Sequence, residues 1–316
     1  MLSRRLLRVK VMQIIYAFQK NGDATLQQSE KELFHSIGKS FELYHLFLLL
    51  LVDLQVYAQN RIEIGRNKKI PTPEDLNPNT RFIDNLLLKQ LASNQSLVKF
   101  ADQTGLSWSN NPEIIRSLFD QVVESDLYKQ YMNDDSISYA NDKKFIVKLV
   151  EKVVAQYEPL YALVEEESIF WNDEAEFIMS MVIKTLREFD QSAGDEQVLQ
   201  KEFKDADDQD FVKTLFRKTL LKQKEFIELI KKYSQNWDLE RVAFMDIVLM
   251  EIALTEIIEF QGIPVKVTLN EYIEIAKHYS TPKSGLFING ILDKIVSNLK
   301  SEGKIVKQGR GLMGDE

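Results

Sequence analysis

The chain is 316 residues long and carries 40 Lys and Arg against 48 Asp and Glu, which gives a formal charge of −8. Its 12 Gly and 7 Pro are few for this length, which argues against a turn-rich all-β fold and long disordered tracts. The absence of Cys excludes disulfides, thiolate metal sites and Cys nucleophiles, and it fits a reducing cytosol. Bulk acidity argues against nucleic-acid binding, so the positions of the charges have to be considered separately.

Helical periodicity begins at the N-terminus. Over residues 4–20, apolar side chains recur three and four residues apart, which predicts an amphipathic helix. Ser3 is its predicted N-cap, and Asn21 and Gly22 are its predicted stop. A second, long helix is predicted over about 25–64, and Pro71, Pro73 and Pro78 then mark a break.

The most apolar stretch, residues 46–52, lies inside this second helix. It is bounded by His45 and Asp53, and it is far shorter than the roughly 20 residues that span a bilayer. The basic N-terminus lacks the apolar segment and the cleavage site of a secretory signal. We therefore predict a core helix, no membrane or targeting segment, and a cytoplasmic protein.

One pattern of large apolar residues occurs three times along the chain. A Phe is followed by Leu after four residues, by apolar residues after 15 and 18, and by Trp after 26. The copies are Phe82, Leu86, Leu97, Phe100, Trp108; Phe145, Leu149, Leu160, Leu163, Trp171; and Phe211, Leu215, Phe226, Leu229, Trp237. Each copy is predicted as one helix, a turn that carries the Trp, and a second helix at about 112–131, 172–190 or 238–260. Chance agreement among apolar residues is the alternative to a duplicated, stacked array of helical hairpins.

Motifs for catalysis or metal binding are missing from the sequence. There is no Gly-rich phosphate loop, no G-x-S-x-G and no H-E-x-x-H, and His35, His45 and His278 lack metal-ligand spacing. The acidic stretch 205–210 lacks the Gly and the bidentate Glu of a calcium loop, and it is predicted to precede a helix N-terminus. We predict that the protein is not an enzyme and binds no cofactor or metal.

The charges are separated by sign along the chain. Residues 1–20 hold five cations and no acid, residues 261–310 hold eight cations and four acids, and residues 21–260 carry −15. Arg4, Arg5 and Arg8 oppose the helix dipole, at about 0.3–1 kcal/mol each when exposed, so stability alone would favour acids there. Their spacing lets all three face a phosphate backbone, whereas a frayed, solvated basic end is the alternative.

A second candidate site lies between residues 267 and 294. Thr268 and Glu271 predict a capping box that opens one helix, and Ser284 is a predicted cap of the next. Lys283 and the free amides of that helix N-terminus can bind phosphate. Phe287 can stack on the base of single-stranded RNA, although a core position is the alternative.

Two stretches of the chain resemble the signature of NusB, a family of bacterial transcription antitermination factors. They are residues 269–277 (Leu-Asn-Glu-Tyr-Ile-Glu-Ile-Ala-Lys) and residues 287–294 (Phe-Ile-Asn-Gly-Ile-Leu-Asp-Lys). This alignment is supported by two further segments, residues 262–264 (Gly-Ile-Pro) and 237–241 (Trp-Asp-Leu-Glu-Arg). The first helix of the family is resembled by the N-terminal residues Arg4, Arg5, Arg8, Gln13 and Tyr16. The resemblance is strong over about 208–300, moderate over 1–65 and absent over about 75–205.

The resemblance implies an all-α fold of two small helical bundles, here with an inserted array of helical hairpins. We expect N-terminal helices of this fold over 1–74, the helical insertion over 75–205, a C-terminal bundle over 206–300 and a tail over 301–316.

The resemblance also implies binding of boxA-like single-stranded RNA and of NusE, a small-subunit ribosomal protein, within the RNA polymerase antitermination complex of ribosomal RNA operons. Tyr16 and Asp246 would face NusE, and the RNA contacts would be Arg4, Arg5, Arg8, Lys283, Ser284 and Phe287. One alternative is a helical protein-binding scaffold in ribosome assembly. Another is an RNA cytosine methyltransferase with a NusB-like domain, which the missing Cys and the missing cofactor domain argue against.

Overall fold

The computed structural model describes residues 2–234 and 242–313, and within these ranges the chain is helical without a β-strand. The predicted all-α class is therefore confirmed. The α-helices are α1 (Arg4–Asn21), α2 (Leu26–Arg66), α3 (Pro73–Leu76), α4 (Leu86–Ala92), α5 (Gln95–Thr104), α6 (Pro112–Glu124), α7 (Asp126–Met132), α8 (Tyr139–Lys152), α9 (Glu158–Glu167), α10 (Ala175–Glu188), α11 (Ala206–Leu221), α12 (Gln223–Tyr233), α13 (Phe244–Glu259), α14 (Val265–Tyr279) and α15 (Ser284–Ser301).

Helix α1 begins and ends where its sequence predicts. The Ser3 side chain accepts a hydrogen bond from the Leu6 amide at 3.2 Å, which satisfies one of the free N–H groups of the first turn. At the other end, Gly22 adopts φ 66° and donates its N–H to the Phe18 carbonyl. A left-handed residue at this position is sterically cheap only for glycine.

Helix α2 confirms the long second helix, which the structure extends to Arg66. It is the one helix in the described part of the chain that is long and apolar enough to cross a membrane, with a mean hydropathy of 1.4 over its best 18-residue window. However, 61% of that window is buried inside the protein, as in the core helix of a globular fold.

The chain divides into two compact units. The insertion unit comprises Gly38–Glu202, and the terminal unit comprises the described residues of Leu2–Ile37 and Phe203–Glu316. The C-terminal end of the insertion unit lies three residues before the predicted boundary at 205, whereas its N-terminal end lies inside α2. The four-segment division of the sequence stays a prediction.

Two Trp-bearing loops of the insertion unit contact α2 in the same way. The Trp108 indole Nε1 donates to the Leu46 carbonyl at 2.8 Å, and the Trp171 Nε1 donates to the Lys39 carbonyl at 2.7 Å. These carbonyls lie seven residues apart, or two turns of one helix. The shared contact supports a duplicated unit, while Trp237, the third Trp of the pattern, lies outside the described residues.

The prediction of a single helix before each Trp was wrong. Each copy instead opens with two helices, α4 and α5, α8 and α9, or α11 and α12, followed by α6, α10 or α13. Local capping explains the first two breaks, because the Asn94 side chain accepts from the Leu97 amide to start α5 and Pro159 occupies the first turn of α9. The second predicted helix of the first copy is also divided, into α6 and α7, with Ser125 capping α7.

The terminal unit is built around α13, which packs against α1, α11, α12, α14 and α15. Residues 248–257 of α13 are buried without exception, so the helix has no solvent-facing side over this stretch. The acidic stretch 205–210 does not precede the helix as predicted but forms its start, because Asp205 caps α11 by accepting from the Asp208 amide at 3.2 Å and residues 206–210 lie in its first turns. Residues 302–313 return to the α13–α14 turn, where the Gln308 amide donates to the Gln261 carbonyl.

Candidate nucleic-acid interface

Arg4 and Arg5 at the start of α1 each pair with a carboxylate from another helix. Arg4 Nε lies 2.8 Å from Asp208 Oδ1 on α11. Arg5 donates through Nε to Glu271 Oε2 and through Nη2 to Glu271 Oε1 on α14, both at 2.8 Å. Both arginine side chains stay partly open to solvent, at 42% exposed for Arg4 and 56% for Arg5.

Arg8 lies one turn further along α1 and is buried. Its Nε and Nη2 donate to both oxygens of Glu256 at 2.7 Å, and the two side chains are 4% and 0% exposed. Thr268 and Tyr272 donate their hydroxyls to the same carboxylate at 2.8 Å and 3.0 Å. Burial lowers the pKa of Arg8, but the hydrogen bonds and charge of Glu256 outweigh it and leave that pKa raised. Arg8 is thus a core residue of the terminal unit in this structure.

These pairs correct two arguments from the sequence. The argument that stability alone would favour acids at the start of α1 does not hold in the folded protein, because each arginine pairs with a carboxylate of α11, α13 or α14. The capping box of Thr268 and Glu271 was wrong, because α14 begins at Val265, three residues earlier. The Thr268 hydroxyl binds Glu256 and the Glu271 carboxylate binds Arg5, so neither caps the helix.

The turn between α14 and α15 is organised by one buried aspartate. Asp246, on α13 and 4% exposed, accepts from Ser280 Oγ at 2.6 Å and from Ser284 Oγ at 2.8 Å. Ser284 is itself 1% exposed and is the first residue of α15 rather than its cap, and its hydroxyl also accepts from the Thr281 amide. Asp246 therefore holds the turn that carries Lys283.

Lys283 in this turn and Phe287 in the first turn of α15 are both accessible to solvent. Lys283 is exposed and precedes the first residue of α15, whose N-terminus has no side-chain cap and no acid in its first turn. Phe287 is half-buried one turn later, beside Leu286, which is 83% exposed. A cation, free backbone amides and partly exposed apolar side chains are the groups that contact phosphates and bases of single-stranded RNA.

Tyr16 lies near the other end of α1 and is half-buried. Its ring packs edge-on against Phe244 with centroids 5.3 Å apart, and Lys20 Nζ lies 4.1 Å from the centroid of the same Phe244 ring. This aromatic pair, with a cation over it, joins α1 to the first turn of α13.

Sequence reasoning missed the pairing of the three arginines with the carboxylates of Asp208, Glu256 and Glu271. Each lies more than 200 residues from its arginine along the chain. No local spacing signals such a pair, because only the packing of α1 on the C-terminal helices brings the partners together.

Comparison with known proteins identifies the family. The model of the NusB family matches residues 174–297. The transcription antitermination protein NusB of Salinibacter ruber is 43% identical over 139 residues, which cover 42% of this chain and 87% of that protein. The chain belongs to the NusB family. The family match includes Asp208, Glu256, Glu271 and the Lys283 turn, and it begins within the segment 75–205 that the sequence predicts as the insertion.

Two further NusB relatives match shorter stretches. The transcription antitermination protein NusB of Chloroherpeton thalassium is 42% identical over 104 residues, covering 33% of this chain and 49% of that protein. The NusB of Natranaerobius thermophilus is 36% identical over 89 residues, covering 28% of this chain and 64% of that protein. No solved structure matches the chain.

Proposed function

We propose that this NusB-family protein is an RNA-binding transcription antitermination factor. In the proposal it binds boxA-like single-stranded RNA together with NusE and supports ribosomal RNA transcription as part of the RNA polymerase antitermination complex. The relatives named as transcription antitermination proteins support the general role. The observation that supports RNA binding is the pair of partly exposed arginines at the start of α1, in a protein whose net charge is −8.

The proposed RNA contacts divide by exposure. Arg4, Arg5 and Lys283 would bind phosphates, and Phe287 would stack on a base. Arg8 and Ser284, which the resemblance also implies as contacts, are at least 95% buried and enter the proposal as residues that hold α1 and the α15 turn in place.

The proposed NusE contact is centred on Tyr16. Its half-buried ring packs on Phe244 and has an apolar body with a polar tip, a combination enriched at protein interfaces. Asp246 is buried and holds the Lys283 turn, so its contribution to NusE binding would be indirect.

A titration of the full chain with a boxA RNA, with and without NusE, tests the proposal. We expect salt-sensitive binding that is lost on Arg5→Glu and weakened by Phe287→Ala, because the first change reverses a phosphate-binding charge and the second removes a stacking surface. Lys213→Glu, a charge reversal at an exposed residue of α11, is the control and should cost much less. Equal affinities for the wild type, Arg5→Glu and Phe287→Ala would contradict the site.

A scaffold in ribosome assembly is the second candidate function. It is favoured by the insertion unit, which forms its own compact body and carries the exposed acidic run Glu165, Glu166 and Glu167. A scaffold would lose protein partners when these three residues are changed to Lys, whereas an RNA-binding factor would keep both NusE and RNA.

A further inference from the structure

We infer that Glu271 is a positioning residue of the proposed RNA site. Its carboxylate holds the Arg5 guanidinium at the edge formed by Nε and Nη2, so that the outer edge at Nη1 can bind a phosphate. The inference rests on the proposed function and assigns a role to a residue that makes no RNA contact itself.

The contact geometry separates the two edges of the Arg5 guanidinium. Glu271 occupies Nε and Nη2, while Nη1 makes no hydrogen bond or ion pair with any described residue. The Arg5 side chain is 56% exposed and that of Glu271 is 20% exposed, so the carboxylate lies on the inner side of the pair. The planar fork of arginine can bind one anion on each edge, so a phosphate at Nη1 need not displace Glu271.

Glu271 is itself held from inside the terminal unit. Its Oε2 lies 3.6 Å from Arg8 Nη1, and Arg8 is fixed by its buried pair with Glu256. The hydrogen bonds from Arg5 and the charges of Arg8 and Arg5 outweigh burial and lower the pKa of Glu271, which keeps it ionised at neutral pH. A continuous network of ion pairs therefore runs from the core to the surface, in the order Glu256, Arg8, Glu271 and Arg5.

Such anchoring has a measurable effect on binding. A long side chain that is already ordered loses less rotamer freedom when it binds a ligand. Against this, the negative charge of Glu271 weakens the local attraction for phosphate, so removing it has two opposing effects. A control that removes the same charge without releasing Arg5 separates them.

Glu274 provides that control on the same helix. It lies three residues from Glu271, its side chain is 41% exposed, and it pairs with Lys277 rather than with Arg5. The charge of Glu274 nevertheless acts on Arg5, because it contributes to the raised pKa of that guanidinium. Glu271→Gln and Glu274→Gln thus remove one charge each near Arg5, and Glu271→Gln alone removes the bidentate anchor.

The experiment measures the Kd of the full chain for a boxA RNA in both variants, with thermal melts to verify that each is folded at the assay temperature. We expect Glu271→Gln to bind at least about threefold more weakly than Glu274→Gln, in line with the loss of a modest interaction. Glu271→Gln binding as tightly as Glu274→Gln, or more tightly, would overturn the inference.

A second comparison uses an Arg5→Gln background. If Glu271 acts through Arg5, adding Glu271→Gln or Glu274→Gln to this background should give equal affinities. A persistent deficit of the Glu271→Gln double variant would overturn the inference in favour of a general structural role. Wild-type protein that binds no RNA, or an Arg5→Gln variant that binds as tightly as the wild type, would instead overturn the proposed contact and the inference with it.

Discussion

At the scale of single residues, the three arginines of α1 differ in their exposure to solvent. Arg4 and Arg5 neutralise carboxylates and still expose 42% and 56% of their side chains, whereas Arg8 is confined to the core. A buried ion pair adds little net stability compared with apolar residues, but removing one partner leaves an uncompensated charge at a cost of about 3–5 kcal/mol. Residue type and spacing were predictable from the sequence. Exposure, which decides whether an arginine can reach a phosphate, was not.

One further buried carboxyl makes the stability of the terminal unit depend on pH. Glu251 of α13 is 0% exposed, its Oε2 accepts from Gln19 Nε2 at 2.7 Å, and its Oε1 has no hydrogen-bond partner among the described residues. Burial raises the pKa of Glu251 from 4.5 to about 7, against a smaller opposing effect of the Gln19 hydrogen bond. The folded state therefore binds a proton that the unfolded state has released between these pH values, so stability falls as the pH rises through this window.

We predict that Glu251→Gln removes this pH dependence. The amide is neutral at every pH, so the variant should match the wild type near pH 4 and exceed it at pH 8 by up to about 3 kcal/mol. Urea unfolding at both pH values measures the difference. Glu259→Gln on the same helix is the control, because the pKa of Glu259 is lowered and its loss should not stabilise the protein at pH 8. A Glu251→Gln variant that is no more stable than the wild type at pH 8 would contradict the prediction.

At the scale of elements, local signals predicted both ends of α1 but not the start of α14 or the breaks inside the repeats. Ser3 and Gly22 bound α1 as predicted, whereas α11 begins at Ala206, inside the acidic stretch that was predicted to precede it. The start of α14 was misplaced because the Thr268 hydroxyl is taken up by Glu256, a tertiary partner on α13. The helix breaks inside each repeat were also missed, because the apolar spacing continues across α4 and α5 while a local cap at Asn94 divides them.

We predict that the two Trp-bearing loops contribute similarly to the stability of the insertion unit. Trp108→Phe and Trp171→Phe each remove an indole N–H bonded to α2 and part of a buried ring, at a cost of about 1–3 kcal/mol per substitution. Urea unfolding measures both. Ile169→Ala is the control, because this side chain is 80% exposed and its truncation should cost little. A cost for one Trp no greater than that of Ile169→Ala would argue against equivalent docking of the two loops.

At the scale of the whole molecule, the net charge of −8 hides a separation that the sequence already displays. The cations of α1 and of residues 261–310 belong to the terminal unit, together with most of the family match over residues 174–297, whereas the acidic run at Glu165, Glu166 and Glu167 belongs to the insertion unit. The all-α class and the family were predictable, because periodicity and signature residues are local properties. The division of α2 between two units was not, because nothing in its continuous apolar pattern marks residue 37 as a boundary.

The salt dependence of RNA binding distinguishes local from bulk charge. Three phosphate contacts, from Arg4, Arg5 and Lys283, predict a slope of log K against log salt of about −2, because each contact on a single strand contributes about −0.7. Lys283→Ala should reduce the slope by about one such contribution. Changing Glu165, Glu166 and Glu167 together to Gln shifts the net charge from −8 to −5 without altering any proposed contact, so the slope should stay the same. Fluorescence titrations over a range of salt concentrations measure all three. A slope near zero in the wild type, or a change in the triple Gln variant as large as that of Lys283→Ala, would show that these three cations do not govern binding.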